Sequence, residues 1–355
     1  MHNIKDYTLA DLSVLLASEG EPPFRAKQLF GWLYQRGITD FAQMSNVGKA
    51  LRAKLAEHFT LGGLEVARVQ TATDGTRKFA FRLHDGNEIE SVLMPNRTHH
   101  TLCVSSQVGC AMGCDFCQTA RMGLVRHLSA GEIVQQVVEA ARHTDPGLFI
   151  RNVVFMGMGE PLHNYPNLAR AIAILTEDHG FGFSARRLTV STSGLVPAIR
   201  RFAAEGVRAQ LAVSLNGVTD EMRARLMPVT RRWPIAEVLE ACRSFPADYR
   251  HRITFEYVLL KGITDDLGNA KRLVRLLHGI RCKVNLIPYN PGPGSKYEAP
   301  NLEHCQAFQT ELLERGMLAT LRLSKGQDIQ AACGQLAAPG RAAPPRRFTA
   351  AEAHA

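Results

Sequence analysis

The first sixty residues carry apolar side chains at the spacing of amphipathic helices. Apolar residues recur every three or four positions in three segments, 11–17, 25–35 and 49–59. Pro22 and Pro23 separate the first two segments, as expected for residues that interrupt helices. We therefore predict a small helical domain over residues 1–60. Its exposed basic side chains fit two alternatives, contacts to phosphate or an ordinary solvated helix face, and each residue taken singly fits the solvated face better.

The next thirty-five residues change to the alternation of apolar and polar positions that is typical of half-buried strands. The alternation runs through three segments, 64–70, 77–83 and 88–94. Asp74-Gly75 and Asp85-Gly86 lie between these segments and are common turn dipeptides. The pattern predicts a three-stranded β-meander extension over residues 61–95.

From about residue 101, short apolar runs alternate with helical patterns. The strand candidates are 102–105, 152–156, 187–191, 209–214, 253–259, 283–288 and 319–323. The helix candidates are 130–142, 168–177, 195–204, 235–242, 266–277 and 302–315. This order predicts parallel strands with crossover helices. Six or seven units are too few for a closed eight-stranded barrel, so we predict an α/β fold with a partial (β/α)6-type barrel whose chemistry lies at the C-terminal strand ends.

Composition narrows the class of protein. The 355 residues include 42 Lys and Arg against 33 Asp and Glu, a net charge of +9, and only eight cysteines. The charge favours a polyanionic partner. The cysteine content is too low for a disulfide scaffold, the first residues lack a signal-peptide pattern, and no apolar run approaches the roughly 18 residues of a membrane span. We expect a cytoplasmic protein with reduced thiols.

Three cysteines stand close together directly after the first strand of the β/α region. Cys110, Cys114 and Cys117 form a CxxxCxxC motif, with no fourth cysteine or histidine at close ligand spacing. Three thiolates on a four-iron cluster leave one iron open for a ligand, whereas structural zinc requires four closed ligands. An iron–sulfur cluster, a zinc ion and free thiols remain the alternatives, and the spacing favours the cluster.

The motif resembles the radical S-adenosylmethionine (SAM) superfamily, which implies one [4Fe-4S] cluster and SAM as cofactors. Two further cysteines narrow the resemblance: Cys103 in TLCVSSQVGC and Cys333 in AACGQL. With FRAKQLFGWLY, EIESVLMP, VVFMGMGEP, RRLTVSTSG and VNLIPYNP, they are similar to the radical-SAM RNA adenine methyltransferases of the ribosome and tRNA. The resemblance covers nearly the whole chain and implies methylation of adenosine carbon 2 in 23S rRNA and tRNA.

The same resemblance implies a role for each extra cysteine. Carbon 2 of adenine is electron-poor and cannot displace the SAM methyl group directly. In the family, the residue matching Cys333 is first methylated, becomes a methylene radical and adds to carbon 2. The residue matching Cys103 then attacks that sulfur, releases the methylated RNA and leaves a disulfide that a reductant reopens. Cys242, Cys282 and Cys305 are interpreted as structural.

The resemblance also implies a base and a set of SAM contacts. Glu90 matches the family's proton acceptor, although its alternation with Glu88 also fits a solvated strand face. The residues that match SAM contacts are Gly159, Glu160, Ser191, Ser214, Leu215, Asn216 and Asn290. Many family members carry histidine in place of Asn216, so this contact transfers only if the backbone makes it.

The implied partners are 23S rRNA, tRNA and a reducing protein such as flavodoxin as electron donor. We expect the enzyme to be a monomer and to bind no membrane. Basic residues near the predicted rim agree with an RNA substrate: Arg121, Arg126, Arg186, Arg187, Arg231 and Arg232. We predict four regions: an RNA-binding domain over 1–60, an extension over 61–95, the radical SAM core over 96–327, and a C-terminal segment over 328–355 with Cys333 and a disordered basic tail.

Two alternatives stay open at this point. One is a sister enzyme that methylates carbon 8 of the same rRNA adenosine and confers antibiotic resistance. Val108, Pro161, Ser193 and the full N-terminal domain resemble the carbon-2 branch more closely. The other is a non-catalytic iron–sulfur RNA-binding protein, which would keep the cluster cysteines but would not need Cys333.

Overall fold

The structure is a computed structural model that describes residues 1–246 and 252–337. Its strands are β1 His2–Asn3, β2 Phe59–Thr60, β3 Glu65–Thr71, β4 Arg77–Arg82, β5 Glu88–Pro95, β6 His100–Cys103, β7 Gln107–Gly109, β8 Leu124–His127, β9 Ile150–Phe155, β10 Leu188–Thr192, β11 Gln210–Ser214, β12 Ile253–Leu259, β13 Cys282–Pro288 and β14 Ala319–Leu321. Its helices are α1 Leu9–Ser18, α2 Phe24–Phe30, α3 Lys49–His58, α4 Gln118–Arg121, α5 Ala130–Ala141, α6 Tyr165–Thr176, α7 Val196–Ala204, α8 Asp220–Leu226, α9 Ile235–Arg243, α10 Leu267–Leu277 and α11 Leu302–Glu314.

One ten-stranded sheet organises the chain, in the order β14-β13-β12-β11-β10-β9-β6-β5-β4-β3. The strands from β6 to β14 pair in parallel, and β3 to β6 pair as an antiparallel meander. Among the described strands, β3 and β14 form the two open edges, so the barrel is partial. The predicted α/β architecture with its meander extension is confirmed.

Burial explains why the parallel strands read as apolar runs and the helices as periodic ones. In β12, the first five residues, Ile253 to Tyr257, are all buried, because helices cover one face and the barrel interior occupies the other. In α10, the buried apolar positions are Ala270, Leu273 and Leu277, which lie three and four residues apart on the face turned to the sheet. The sequence therefore alternates between continuous apolar runs, in strands buried on both faces, and apolar residues every three or four positions, in helices buried on one face.

The N-terminal helices are joined to the barrel by specific hydrogen bonds. The Asp6 carboxylate accepts a hydrogen bond from the Gly131 N–H, at 2.7 Å, in the first turn of α5. Tyr34 Oη donates to the Lys5 carbonyl oxygen and holds the residue before Asp6 in place. The predicted helix 25–35 is interrupted: α2 ends at Phe30 and continues as a π-helical turn over Gly31–Gln35.

Several short elements escaped the sequence pattern. The β1–β2 pair closes the N-terminal region, and the β7–β8 hairpin frames the loop with the three clustered cysteines. No helix in the described part of the chain is long and apolar enough to cross a membrane. The tail predicted to be disordered runs from Ala337, which the structure describes, to Ala355, and its residues 338–355 lie outside the described residues. The division into four regions stays a prediction.

Candidate active site

The loop that carries the three clustered cysteines is fixed by backbone contacts at both ends. Cys110 follows β7, and its N–H donates to the Gly123 carbonyl oxygen before β8. Gly109 has φ +74°, and a Cβ there would lie 1.8 Å from that same oxygen, so only glycine permits the close approach. At the other end Cys117 is the N-terminal capping residue of α4. The loop is thus a built feature of the fold.

Cys110, Cys114 and Cys117 line one cavity of about 170 Å³, here called the inner cavity, at the C-terminal ends of the strands. Burial raises the pKa of all three thiols. Neighbouring cysteines of the group raise the pKa of Cys110 and Cys114 further, and Cys333 raises that of Cys117. Within the described residues, no three His, Cys, Asp or Glu side chains meet as ligands of one metal ion. Cluster thiolates bind different iron atoms, and iron charge offsets their repulsion, so the group fits an iron–sulfur cluster better than zinc.

Glu160 faces the cysteines across the inner cavity. Its carboxylate accepts hydrogen bonds from the Ser193 N–H, at 2.7 Å, and the Leu162 N–H, at 3.2 Å. Burial raises the pKa of Glu160, and these hydrogen bonds oppose the rise. The Ser193 and Thr192 side chains also lower the pKa of Glu160. A buried carboxylate fixed by several hydrogen bonds suits an ammonium-bearing ligand.

The other residues that match SAM contacts separate into two groups. Six of the seven line the inner cavity: Gly159, Glu160, Ser191, Ser214, Asn216 and Asn290. Leu215 does not; it is fully buried, and its backbone N–H donates to the Glu256 carbonyl oxygen. Gly159 has φ +101°, and a Cβ there would lie 2.6 Å from Gln107. The backbone at Gly159 therefore approaches the cavity where a side chain would not fit.

The conformation and contacts of Asn216 show why asparagine is accommodated where many family members carry histidine. Its φ is +51°, a left-handed conformation that asparagine tolerates better than most residues. The side-chain oxygen accepts a hydrogen bond from the Val258 N–H at 2.9 Å, and the amide contacts Met227 Sδ. Because the side chain is engaged with the protein, its backbone is the part left for a ligand.

Arg223 is a buried cation that sequence reasoning missed. It donates hydrogen bonds to the carbonyl oxygens of Ser193, Ser214 and Leu215, which ties the ends of β10 and β11 together. Burial lowers its pKa to about 10, while the nearby Cys114 opposes the fall. No ion pair of Arg223 occurs within the described part of the chain. The position was not detectable, because a charged residue on α8 reads as a solvated one.

A second cavity of about 460 Å³, here called the outer cavity, lies behind the first and contains Cys103. The two cavities share six lining residues: Met156, Glu256, Ile287, Arg322, Cys333 and Leu336. Cys333 therefore lies in the wall between the clustered cysteines and Cys103. Both Cys103 and Cys333 are free thiols in the structure.

The shared wall contains two charged residues that the sequence did not reveal. The Cys333 sulfur raises the pKa of Arg322, and Glu256 does so too. Glu256 is buried, and one of its oxygens has no partner among the described residues, while the other accepts from Asn285 at 3.1 Å. Burial raises the pKa of Cys103 to about 12; Cys333 adds to that rise and Arg322 opposes it. Arg322 is thus a cation close to both cysteines.

Glu90 is not on a solvated face. It is 2% exposed, and its carboxylate pairs with Lys78 Nζ at 3.2 Å. Val92 and Met94 follow it on the same face of β5 and line the outer cavity. Glu90 itself lines neither cavity, because the backbone N–H of Ala337 donates to its second oxygen at 3.0 Å. Glu90 is therefore adjacent to the outer cavity but covered.

The basic residues predicted at the rim differ in their freedom. Arg126 is bound to Asp85 and Glu132, and Arg121 donates to the carbonyl oxygens of Pro293 and Gly294. Arg231 and Arg232 are exposed. Arg186 and Arg187 line the outer cavity with three further cations, Lys283, Arg322 and Lys325, against one carboxylate, Glu256. Within the described residues, none of these five cations is in an ion pair.

Known proteins resemble the chain over nearly its whole length. Residues 2–61 match the ribosomal RNA large subunit methyltransferase N-terminal domain, and residues 104–274 match the radical SAM superfamily. The chain is 49% identical to the dual-specificity RNA methyltransferase RlmN of Geotalea uraniireducens (strain Rf4), over 94% of this chain and 96% of that protein. It is 51% identical to the RlmN of Anaeromyxobacter sp. (strain Fw109-5), over 97% and 93%.

A solved structure agrees with the sequence relatives. A radical SAM methyltransferase from Sphaerobacter thermophilus superposes with a TM-score of 0.89 at 48% identity, covering 95% of this chain and 99% of that one. Membership of this group implies a [4Fe-4S] cluster and SAM as cofactors. The chain belongs to the RlmN family of radical SAM RNA methyltransferases.

Proposed function

We propose that this enzyme methylates carbon 2 of a specific adenosine in the peptidyl-transferase centre of 23S rRNA, and of the adenosine 3′ to the anticodon in tRNAs. Its relatives are dual-specificity RNA methyltransferases, which supports action on two kinds of RNA. The observation that carries the proposal is the position of Cys333 in the wall between the inner and outer cavities. From this position the Cys333 sulfur can react with a ligand in the inner cavity and with a base in the outer cavity.

The inner cavity is the proposed cofactor site. Cys110, Cys114 and Cys117 would hold the cluster, and Glu160 with its neighbouring strand ends would hold the amino acid part of SAM. Bound there, the two cofactors would supply one-electron chemistry that yields a radical able to remove hydrogen from a methyl group. The protein itself would orient this ligand through Ser191, Ser214, Asn290 and the backbone of Gly159 and Asn216, and exclude water by burial.

Cys333 is the proposed one-carbon carrier and Cys103 the proposed resolving thiol. As a thiolate, Cys333 accepts the methyl group that it later delivers to the RNA base. In the resolving step, the Cys103 thiolate attacks the Cys333 sulfur and the sulfur–carbon bond breaks. The carbon leaves with the bonding electron pair and takes a proton to become the methyl group. The two sulfurs are left as a disulfide, which an external reductant reopens.

The outer cavity is the proposed entry for the target base. Its volume is in the range of small-ligand sites, and a base must leave its stack to enter it. Cations around it supply phosphate contacts, and the N-terminal helical domain supplies further RNA contacts. Glu90, beside this cavity, is the proposed acceptor of the carbon-2 proton. A flavodoxin-like electron donor, a monomeric enzyme and a cytoplasmic location complete the proposal.

Alanine variants of the two cysteines test the assigned roles. With SAM, a reductant and 23S rRNA, Cys103→Ala is expected to trap RNA covalently on Cys333, because nothing attacks the Cys333 sulfur. Cys333→Ala is expected to form no adduct and no product. A denaturing gel detects the adduct, and mass spectrometry of the Cys333 peptide locates it. Loss of activity in both variants without any adduct would contradict the carrier and resolving roles.

A further inference from the structure

A buried ion pair holds the segment that carries Cys333. Lys78 and Glu90 lie diagonally across the β4–β5 pair, and their side chains are 8% and 2% exposed. Lys78 Nζ lies 3.2 Å from one Glu90 oxygen. Among the described residues, Lys78 is the one ionised side chain that pairs with Glu90. Burying both charges costs free energy unless each group also makes further hydrogen bonds, and both groups do so with backbone partners.

Those partners flank Cys333 on both sides. Lys78 Nζ donates to the carbonyl oxygen of Gln330 at 3.3 Å, three residues before Cys333. The free Glu90 oxygen accepts from the N–H of Ala337 at 3.0 Å, four residues after it. Residues 330–337, here called the Cys333 segment, include no helix or strand. The ion pair therefore anchors both ends of an irregular loop.

The two cysteines differ in their freedom to move. Cys103 belongs to β6, where it is held between Val92 of β5 and Val154 of β9. The two sulfurs are not bonded, and a disulfide requires them to approach to about 2.05 Å. Because β6 is fixed within the sheet, the approach must come from the Cys333 segment. The anchor at Lys78 and Glu90 restrains the two ends of that segment. Helix α4 holds its middle through hydrogen bonds from the Gln118 N–H to the Gly334 carbonyl oxygen and from Thr119 Oγ1 to that of Leu336.

We propose that proton uptake by Glu90 releases the Cys333 segment, so that proton removal from the RNA base precedes attack by Cys103. This inference rests on the proposed function, in which Glu90 accepts the carbon-2 proton. As an anion, Glu90 holds Lys78 and the Ala337 N–H by charge-assisted contacts. Once neutral, it loses the attraction of Lys78 and binds the Ala337 N–H more weakly. The anchor then loosens when the base chemistry is complete.

Hydrogen exchange of the reduced holoenzyme without RNA tests the anchor. Glu90→Gln keeps the shape of the side chain and removes its charge, and Lys78→Met removes the partner. In both variants, amides of the Cys333 segment are expected to exchange about tenfold faster or more, the factor that follows from losing one charge-assisted hydrogen bond. Glu88→Gln, on the same strand face but paired with Arg82, is the matched control and is expected to leave the segment unchanged.

Disulfide formation tests the coupling. With a mild thiol oxidant, the Cys103–Cys333 bond is expected to form severalfold faster in Glu90→Gln and Lys78→Met than in the wild type. Alkylation of the buried Cys242 and Cys305 reports any global loosening and is expected to stay unchanged. Unchanged exchange in both variants would overturn the anchor, and faster exchange without faster disulfide formation would overturn the coupling. Both assays need no methylation, so their failure is distinct from failure of the proposed function.

Discussion

At the scale of single residues, burial controls the chemistry of the two proposed catalytic cysteines. Cys103 is enclosed by the sheet, whereas Cys333 is half-buried on an irregular segment. Arg322 lies close to both sulfurs and stabilises negative charge at either one. The structure therefore combines a protected resolving thiol with a more accessible carrier thiol.

The pKa of Cys103 gives a direct pH prediction. A rise from 9.0 to about 12 leaves about a thousandfold less thiolate at pH 8 than an ordinary cysteine has. Because the folded protein retains the proton, alkylation of Cys103 is expected to rise about tenfold per pH unit from pH 7 to 10. Mass spectrometry of the Cys103 peptide measures this rate, and a plateau near pH 9 would contradict the assignment.

At the scale of elements, the β7–β8 hairpin determines whether the cluster loop can form. Gly109→Ala is expected to lower iron content after cluster reconstitution severalfold, because the added Cβ meets the Gly123 carbonyl oxygen. Gly86→Ala is the matched control: its φ is +81°, but open space surrounds the added Cβ. It is expected to cost about 1 kcal/mol of unfolding free energy and to keep its iron.

Iron per chain and the urea midpoint separate the two effects in this pair of variants. Equal iron loss in Gly86→Ala and Gly109→Ala would show that backbone strain alone disturbs the cluster loop. Normal iron content in Gly109→Ala would show that the cluster loop forms without the close approach of Gly109 to Gly123.

The elements that the sequence predicted are those with long periodic patterns. The meander and the alternation of strands and helices emerge because burial repeats over many residues, as in β12 and α10. The β7–β8 hairpin has strands of three and four residues and an irregular register, too short for any period to appear. Arg223, Glu256 and Lys78 were missed for another reason: their burial depends on partners distant in the chain.

The candidate site divides in the same way. Cys110, Cys114 and Cys117 were identified by spacing, and Cys103 and Cys333 by resemblance, because contiguous motifs carry them. The shared wall between the two cavities depends on β12, β13, the residues directly after β9 and β14, and the Cys333 segment meeting in space. Leu215 does not line the inner cavity, and its backbone N–H and carbonyl oxygen are both hydrogen-bonded within the protein, so its contact with SAM stays a prediction.

At the scale of the whole molecule, the excess of positive charge includes the five cations grouped where the target base is proposed to enter. Burial, and after it the charges of Arg151 and Arg187, lower the pKa of His99 near this opening. Five cations against the single carboxylate of Glu256 repel one another, and a polyanion offsets that repulsion. The cations around the outer cavity are therefore suited to bind RNA phosphates.

Charge reversal tests this surface. The double variant Arg186→Glu with Arg187→Glu is expected to weaken RNA binding at least tenfold. The slope of affinity against salt concentration, both on logarithmic scales, is expected to fall by about one for each phosphate that the variant no longer neutralises. Arg275→Glu with Arg315→Glu makes the same change in net charge on α10 and at the end of α11, away from both cavities. Equal weakening in both double variants would mean that net charge, rather than this surface, attracts RNA.

The identity of the methylated nucleoside tests the central claim most directly. Anaerobically purified, cluster-containing enzyme is incubated with SAM, a reductant and unmodified 23S rRNA, and the digested RNA is analysed by mass spectrometry against authentic nucleoside standards. We expect 2-methyladenosine at a single site, with none from the Cys333→Ala variant. A product that is only 8-methyladenosine, or 2-methyladenosine formed equally well without Cys333, would contradict methylation of carbon 2 through Cys333.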